Sequence, residues 1–204
     1  MATLGEIEDR ITNLMSRSDL GGRIRDAINE SVRYYSKRHF WFNTVDDSFV
    51  TSSGVQSYTL SQSMTFYDVE QVTINYAGSR YEVDKENLLT IRGLNVINNN
   101  GLPSRWALDR NRIMFDINVN GSYTTSVMFT RKYASLSATA DTNDLLTYAE
   151  DLITQRSMWW LWAFKVRKPQ MAQECKAAEM EALSCIAGET LDKQAKGHVT
   201  PTKF

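Results

Sequence analysis

The spacing of apolar residues changes period twice along the 204-residue chain, and this double change limits the folds open to it. Near the start, Leu4, Ile7 and Ile11 follow one another at helical intervals. Short runs of Thr, Ser, Val and Tyr, broken by Gly and Asn, come next, and helical spacing returns after Asp141. The sequence therefore predicts an α+β fold in which a β-region is inserted between two pairs of helices.

An aromatic run, YYSKRHFWFN from Tyr34 to Asn43, lies at the first change of period. Such a run suits a joint where helices pack against a β-layer, and we expect Trp41 and Phe42 to stabilise that joint. Single-strand binders stack bases on aromatic rings, but without a basic patch these rings are expected in the core. His39 is expected to be packed or hydrogen-bonded there, not to act as a base.

The predicted organisation has three parts. Residues 1–40 and 141–188 form a four-helix bundle, with two N-terminal and two C-terminal helices. Residues 41–140 form an inserted antiparallel β-domain, and residues 189–204 form a flexible C-terminal tail. The helix boundaries are marked by capping boxes at Thr3–Glu6 and Thr147–Glu150, by Pro169 between the third and fourth helices, and by Gly188 after the fourth.

Within the β-region, period-two alternation and turn residues predict strands and one hairpin. Residues 69–76 alternate, and Ala77-Gly78-Ser79 turns the chain into the next strand. Residues 95–104 are predicted to form a loop, whereas residues 88–94 fit either a short helix or a strand.

Charge and cysteine content exclude several classes of protein. The chain has 23 basic and 24 acidic residues, and this near-balance argues against a dedicated nucleic-acid binder. Cys175 and Cys185 are predicted to lie on one helix, roughly 15 Å apart, which is too far for a disulfide. The N-terminus does not resemble a signal peptide, and the most apolar stretch, 158–166, is far shorter than the ~20 residues that span a membrane. We expect a soluble protein made inside a cell.

Motifs for catalysis or cofactor binding are missing from the sequence. The two histidines, His39 and His198, have no second His or Cys at ligand spacing, so neither a zinc site nor any other metal or cofactor is predicted. There is no Gly-rich phosphate loop and no nucleophile motif. Asp46 and Asp47 are adjacent, which in a strand turns their side chains to opposite faces. The sequence thus predicts a protein that is not an enzyme.

The order of these parts is similar to that of a known family. The exit HFWFN leads to FVTSSGVQSYTLS, then to PSRWALDRNRIMF, and finally to DTNDLLTYAEDLI at the start of the second helical pair. Up to about Gly188, this series resembles the head-to-tail adaptor (connector) proteins of short-tailed bacteriophages.

The resemblance implies a structural role in the virion. Such adaptors form a ring, usually of twelve subunits, beneath the portal protein at one capsid vertex. The ring extends the DNA channel, through which genomic DNA passes without sequence-specific binding, and it offers a platform to the next tail component, a nozzle or tail-hub protein. The implied location is the head–tail junction of the virion, after synthesis in the cytoplasm of the host bacterium.

The resemblance also implies a docking segment, because related adaptors commonly insert a C-terminal extension into clefts between portal subunits. Here the segment 191–204 is the candidate. We expect it to be disordered in the free subunit and to order on docking. The candidate portal-docking residues are Leu191, His198, Pro201 and Phe204.

Other functions remain compatible with the sequence. The β-insert fits a surface- or carbohydrate-binding module, with Trp106 as the most available ring and a monomer or trimer as the expected state. A minor tail protein without direct portal contact is the nearest alternative. An enzyme using Asp or Glu would need a pocket of convergent titratable groups, and no spacing in the chain selects one.

Overall fold

The computed structural model describes residues 1–60, 66–94 and 99–197, with side chains up to Lys193. The chain divides into two compact units. The helical unit comprises Met1–Asn43 and Lys132–Phe204, and the β unit comprises Thr44–Arg131. The predicted α+β class is confirmed.

The described residues contain six α-helices and one π-helix, and all but α3 belong to the helical unit. They are α1 (Leu4–Met15), α2 (Gly21–Tyr35), α3 (Leu88–Leu94), α4 (Asp144–Tyr148), α5 (Glu150–Trp160), the π-helix (Leu161–Val166) and α6 (Pro169–Gly197).

The first predicted capping box is confirmed and the second is wrong. At α1, the Thr3 amide donates to Glu6 Oε2 over 2.8 Å, and the Glu6 amide donates to Thr3 Oγ1 over 3.3 Å. At the second site, Thr147 lies inside α4. Asn143 is the N-cap instead, because its extended backbone lets its Oδ1 accept from the Leu146 amide over 2.9 Å. The expected third helix is therefore built from α4, α5 and the π-helix.

The last helix is longer than the sequence predicted. Gly188 does not end it, since α6 continues to Gly197, and residues 189–197 are helical and not part of a flexible tail. Gly188 lacks the positive φ of a terminating glycine. A glycine inside a helix costs only about 1 kcal/mol. Burial of Ile186 and Thr190 on either side of it offsets that cost.

Apolar faces of these helices form one core in the helical unit. α1 contributes every third or fourth residue, from Leu4 to Met15, and α2 and α5 contribute in the same way. The aromatic run joins this core, because Phe40 and Phe42 are buried in it and Trp41 packs against it. The expectation that these rings are core residues is confirmed.

The described residues of the β unit contain nine strands, seven of them in one sheet with the order β1-β9-β3-β4-β6-β7-β2. Strands β5 and β8 form a separate pair. The strands are β1 (Thr44–Val50), β2 (Ser57–Thr59), β3 (Phe66–Tyr76), β4 (Ser79–Lys85), β5 (Asn100–Gly101), β6 (Arg105–Asp109), β7 (Arg112–Phe115), β8 (Asn118–Val119) and β9 (Thr124–Arg131).

The sheet corrects the expectation of purely antiparallel pairing. β4 and β6 pair in parallel, with Asp84 opposite Arg105, and β5 and β8 are also parallel. A parallel pair requires a long crossover, and the chain between β4 and β6 supplies one that contains α3. The ambiguous segment 88–94 is thus a helix, whereas residues 95–98 of the predicted loop lie outside the described residues.

The predicted hairpin between β3 and β4 is confirmed. Tyr76 pairs with Ser79 across the turn, and both central residues have positive φ, 52° at Ala77 and 80° at Gly78. This is a type I′ turn, whose twist matches that of the flanking strands.

Candidate interaction site

The aromatic run holds the far end of α6 in place. The backbone amide of Trp41 donates to Thr190 Oγ1 over 3.4 Å, and Lys193 Nζ lies 3.0 Å from the centroid of the Trp41 ring. Trp41 and Phe42 also contact the ring of Tyr148, with centroid distances of 4.9 and 5.5 Å. The C-terminal part of α6 and the end of α4 are therefore both held by contacts with residues 40–43.

Only one of the four predicted docking residues lies in the described part of the chain. Leu191 is on α6, next to the buried Thr190, and its side chain is 68% exposed. His198, Pro201 and Phe204 lie outside the described residues. An exposed leucine on an anchored helix is free to bind a partner surface, because the helix is held by other residues.

A buried ionic network joins α2, α5 and α6. Glu179 on α6 is fully buried, and its carboxylate accepts from the Tyr35 hydroxyl on α2, from Arg156 Nη1 over 3.2 Å and from Lys176 Nζ over 2.9 Å. Burial, followed by the nearby Glu179 carboxylate, raises the pKa of Tyr35, so its hydroxyl remains a donor. The network fixes the position of α6 relative to α2 and α5.

A groove of about 570 Å³ runs between the start of α5 and the middle of α6. Apolar and small side chains line much of it, and carboxylates stand along it. We call it the acidic groove; its residues are Arg10, Thr147, Tyr148, Ala149, Glu150, Asp151, Leu152, Gln155, Ala178, Glu181, Ala182, Cys185, Ile186 and Glu189.

The local fold explains the groove's charge. The backbone break at Ala149 separates α4 from α5, so that Glu150 and Asp151 lie in the first turn of α5, where the helix dipole favours acids. Arg10 of α1 donates to both carboxylates over 2.6 Å. Glu181 and Glu189, on the α6 side, have no ion-pair or hydrogen-bond partner among the described residues. The groove thus carries two uncompensated negative charges above an apolar floor.

Cations and aromatic rings surround the π-helix at the other end of α5. Lys165 Nζ lies 4.8 Å from the Trp160 ring and Lys168 Nζ 5.6 Å from the Trp162 ring. The chain then turns at Arg167, whose φ is +58°, and α6 begins at Pro169. Two of the cations at this helix end therefore lie over indole rings, an arrangement that attracts a cation to the face of the ring.

Trp106 of the β unit is buried, although the sequence suggested an exposed ring at this position. Trp106 is 0% exposed and packs in the core of this unit, which removes the ring expected to carry carbohydrate binding. The aromatic surface of the unit consists instead of Tyr76 and Tyr81, with Tyr123 5.4 Å from Tyr76.

The described residues contain no group of three or more His, Cys, Asp or Glu side chains placed to hold a metal ion. Within the same ranges, every helix is too short or too polar to cross a membrane. Cys175 is buried and Cys185 is exposed, and both are free thiols.

Comparison of the sequence with models of known protein families identifies the family. A model of the SU10 adaptor protein family matches residues 2–197, which is nearly the whole chain. The chain belongs to the SU10 adaptor protein family. No curated protein matches it.

Membership of the SU10 adaptor family confirms the resemblance to phage head-to-tail adaptors. This SU10 adaptor is a structural component of a bacteriophage, and its family is not a known class of enzymes. Membership implies interactions with portal and tail proteins.

Sequence reasoning missed the acidic groove in this adaptor. Glu181, Cys185 and Glu189 recur every four residues, which places them on one helical face and was visible in the sequence. The opposite wall depends on the break at Ala149. The wrongly placed capping box concealed that break.

Proposed function

We propose that the chain assembles as a ring, of twelve subunits, beneath the portal protein. The ring extends the DNA channel and provides the platform for a downstream nozzle or tail-hub protein. The family match over residues 2–197 is the observation that carries this proposal, together with the resemblance in the order of parts.

In this ring, the helical unit acts as a four-helix bundle packed side by side with its neighbours. The buried contacts of Glu179 with Tyr35 and Arg156 support a rigid bundle, since they tie α6 to α2 and α5. The β unit projects outward or toward neighbouring tail proteins. Many modest interfaces repeated around a ring combine into a stable assembly.

The C-terminal segment docks on the portal through Leu191, His198, Pro201 and Phe204. Support comes from the anchoring of α6 by Trp41, which leaves Leu191 exposed at a defined place, next to the start of the segment. Each such contact is modest, so binding depends on the assembled portal ring, where many equivalent contacts act together.

Genomic DNA passes through the channel without sequence-specific binding. The formal net charge of −1 supports this, because tight phosphate contacts from many cations would slow DNA passage. The proposed location is the head–tail junction of the virion, after synthesis in the host bacterial cytoplasm.

The proposal is tested by mixing the purified chain with purified portal rings. Light scattering and electron microscopy should give a stoichiometric ring of the chain stacked on each portal. A chain that stays separate from portal rings at all concentrations would assign it to another tail position.

A pair of variants then tests the docking residues. Leu191→Asp should weaken portal binding at least about tenfold, which corresponds to about 1.4 kcal/mol, with an unchanged unfolding midpoint. Leu14→Asp is the matched control, because Leu14 is 57% exposed on α1 of the same unit. Equal portal binding by both variants would remove Leu191 from the interface.

A further inference from the structure

The acidic groove combines an apolar floor with an excess of negative charge that its described neighbours leave uncompensated. Leu152, Ala182 and Ile186 belong to its lining, together with four carboxylates and one guanidinium, which give a net formal charge of −3. Glu181 and Glu189 take part in no ion pair among the described residues. A groove of about 570 Å³ with this lining suits an apolar side chain that is flanked by cations.

A surface of the opposite character lies at the other end of the same helix pair, where the π-helix ends and α6 begins. We call it the basic corner; its residues are Phe164, Lys165, Arg167 and Lys168. All four side chains are exposed, and that of Phe164 is 58% exposed. The three cations pair with no carboxylate among the described residues. The basic corner therefore presents an aromatic ring and a formal charge of +3.

The backbone of the basic corner is unusual. A π-helix spans Leu161–Val166, and Arg167 follows with a φ of +58°, a conformation that few residues other than glycine adopt. The Lys168 amide donates to the buried Trp162 carbonyl over 3.0 Å, which fixes the turn. Because π-helical segments are rare and occur frequently at functional sites, this geometry supports a binding role for the corner.

The two surfaces of one chain lie too far apart to contact each other. Glu150 begins α5 at the groove, and Lys165 lies near the end of the π-helix that continues α5. At a rise of about 1.5 Å per residue, these two positions are roughly 20 Å apart. A second copy of the chain, in contrast, can bring its corner to this groove, and its ring and three cations match the apolar floor and the net charge of −3.

We propose that the basic corner of one copy binds in the acidic groove of the next. The Phe164 ring lies on the apolar floor, and the cations of the corner lie near Glu181 and Glu189. Because the two surfaces differ, each copy keeps a free groove at one end and a free corner at the other. Such head-to-tail contacts produce a ring when the rotation between copies closes and a filament when it does not.

This contact rests on the proposed function, since it names the surfaces that neighbouring subunits use in the proposed ring. In a closed ring, a corner and the groove that receives it lie at one height along the ring axis. Helices α5 and α6 therefore run around the ring and not along its axis. One contact of this size is weak, and closure of the ring adds many such contacts together.

The groove contains a natural thiol that reports the contact. Cys185 is exposed in the groove, whereas Cys175 is buried, and burial raises the pKa of the Cys175 thiol, which lowers its reactivity. A chain with Lys165→Cys and Cys185→Ser has a reactive thiol only at the corner, and the unmodified chain has one only in the groove. Mixed under mild oxidation, the two chains should form a disulfide between positions 165 and 185, detected by non-reducing electrophoresis and peptide mapping.

A matched chain sets the background rate for this reaction. Ser18→Cys with Cys185→Ser places the thiol at an exposed position of the same unit, outside both the groove lining and the corner. Linkage to the unmodified chain should be at least tenfold slower than linkage from position 165. Equal rates would overturn the proposal, because they would show random collision.

Charge reversal tests which side chains attract each other. Glu181→Lys with Glu189→Lys in the groove chain should slow linkage at least fivefold, and so should Arg167→Glu with Lys168→Glu in the corner chain. Combining the two reversed chains should restore the rate, which a damaged fold could not do. A combination as slow as either reversed chain alone would overturn the pairing.

A second control keeps the change in charge and moves it away from the groove. Asp26→Lys with Asp192→Lys alters two exposed acids of the helical unit that do not line the groove, and it should leave the rate of linkage unchanged. If this variant slows linkage as much as Glu181→Lys with Glu189→Lys, net charge governs association and the assigned contact is wrong.

The same linkage, measured on portal rings, separates this contact from the proposed function. Rings of the chain that stack on the portal without a link between positions 165 and 185 would overturn the contact and leave the proposed function intact. A link that forms in a chain unable to bind portal rings would support the contact and contradict the portal location. Links between two copies of Cys185 in place of the mixed link would overturn the head-to-tail arrangement.

Discussion

The Tyr35 hydroxyl donates a hydrogen bond to the Glu179 carboxylate, and both side chains are hidden from solvent, with 1% and 0% exposure. A buried carboxylate is stable only while it remains paired and hydrogen-bonded. Arg156 and Lys176 supply the charges, and Tyr35 supplies the donor that arrives from α2.

Tyr35→Phe should therefore destabilise the helical unit by about 1.5–3 kcal/mol, the usual cost of losing a hydrogen bond to a charged group. Urea unfolding followed by circular dichroism measures the change. Tyr34→Phe is the control, because Tyr34 is partly exposed and the ring that contacts Arg156 is retained. Equal effects of the two variants would contradict the role given to the buried bond.

The indole of Trp41 makes a second set of stabilising contacts, and its removal should destabilise the C-terminal end of α6. Trp41→Ala removes ring contacts with Tyr148 and Lys193 and should cost about 3 kcal/mol. Trp41→Phe keeps an aromatic ring and removes an indole N–H that is buried without a partner among the described residues. This variant should cost less than about 1 kcal/mol.

Hydrogen exchange of α6 amides distinguishes these effects. In Trp41→Ala, exchange should accelerate most between Thr190 and Gly197. Uniform acceleration along α6 would show that Trp41 stabilises the whole unit and not its last turns.

The hairpin turn between β3 and β4 contains a residue, Ala77, whose replacement should increase the stability of the β unit. Ala77 has a φ of 52°, a left-handed conformation that alanine adopts at a cost and asparagine tolerates. Ala77→Asn should raise the stability of the β unit by roughly 0.5 kcal/mol, and Ala77→Val should lower it. Thermal unfolding of the two variants gives the comparison, and a lower melting temperature for Ala77→Asn would contradict the assigned turn.

A single aspartate gives the helical unit a pH-dependent contribution. Backbone amides of Ser137 and then Ala138 donate to Asp141 Oδ2 over 2.7 and 2.8 Å, and they lower the pKa of this carboxyl group. A group whose pKa is lower in the folded state contributes stability above its unfolded pKa, which is about 4, and loses it as pH falls through the folded pKa.

Asp141→Asn should therefore lower the urea midpoint at pH 6, and the difference from the unmodified chain should close as pH falls below about 4. Ser137→Ala keeps both amide donors, which are the largest causes of the lowered pKa, and removes only a 3.4 Å hydroxyl contact, so its midpoint should change much less with pH than that of Asp141→Asn. A constant difference between Asp141→Asn and the parent across this range would refute the assignment.

Much of the fold follows from local signals in the sequence. The Thr3–Glu6 capping box and the Ala77–Gly78 turn act through neighbouring residues, and both are present as predicted. Two features that the sequence did not predict depend on distant contacts. α6 passes through Gly188 because burial of Thr190 against the Trp41 region favours helix, and β4 pairs with β6 only because the chain between them crosses over.

The candidate site was less predictable than the fold, because it also depends on contacts between residues that are distant in the sequence. The exposure of Leu191 follows from helical periodicity once α6 is known to include it. The acidic groove arises from the meeting of α5 and α6 together with Arg10 of α1, and no short stretch of sequence contains that combination.

The pairing of the first and last strands of the β unit has a consequence for how such chains diversify. Thr44 lies opposite Thr130, so the two points where the polypeptide enters and leaves this unit are one strand spacing apart, about 4.8 Å. A linker of a few residues from Asn43 to Lys132 would bridge that distance. We therefore expect that recombination or protein engineering can replace this unit by another domain whose two ends lie equally close together.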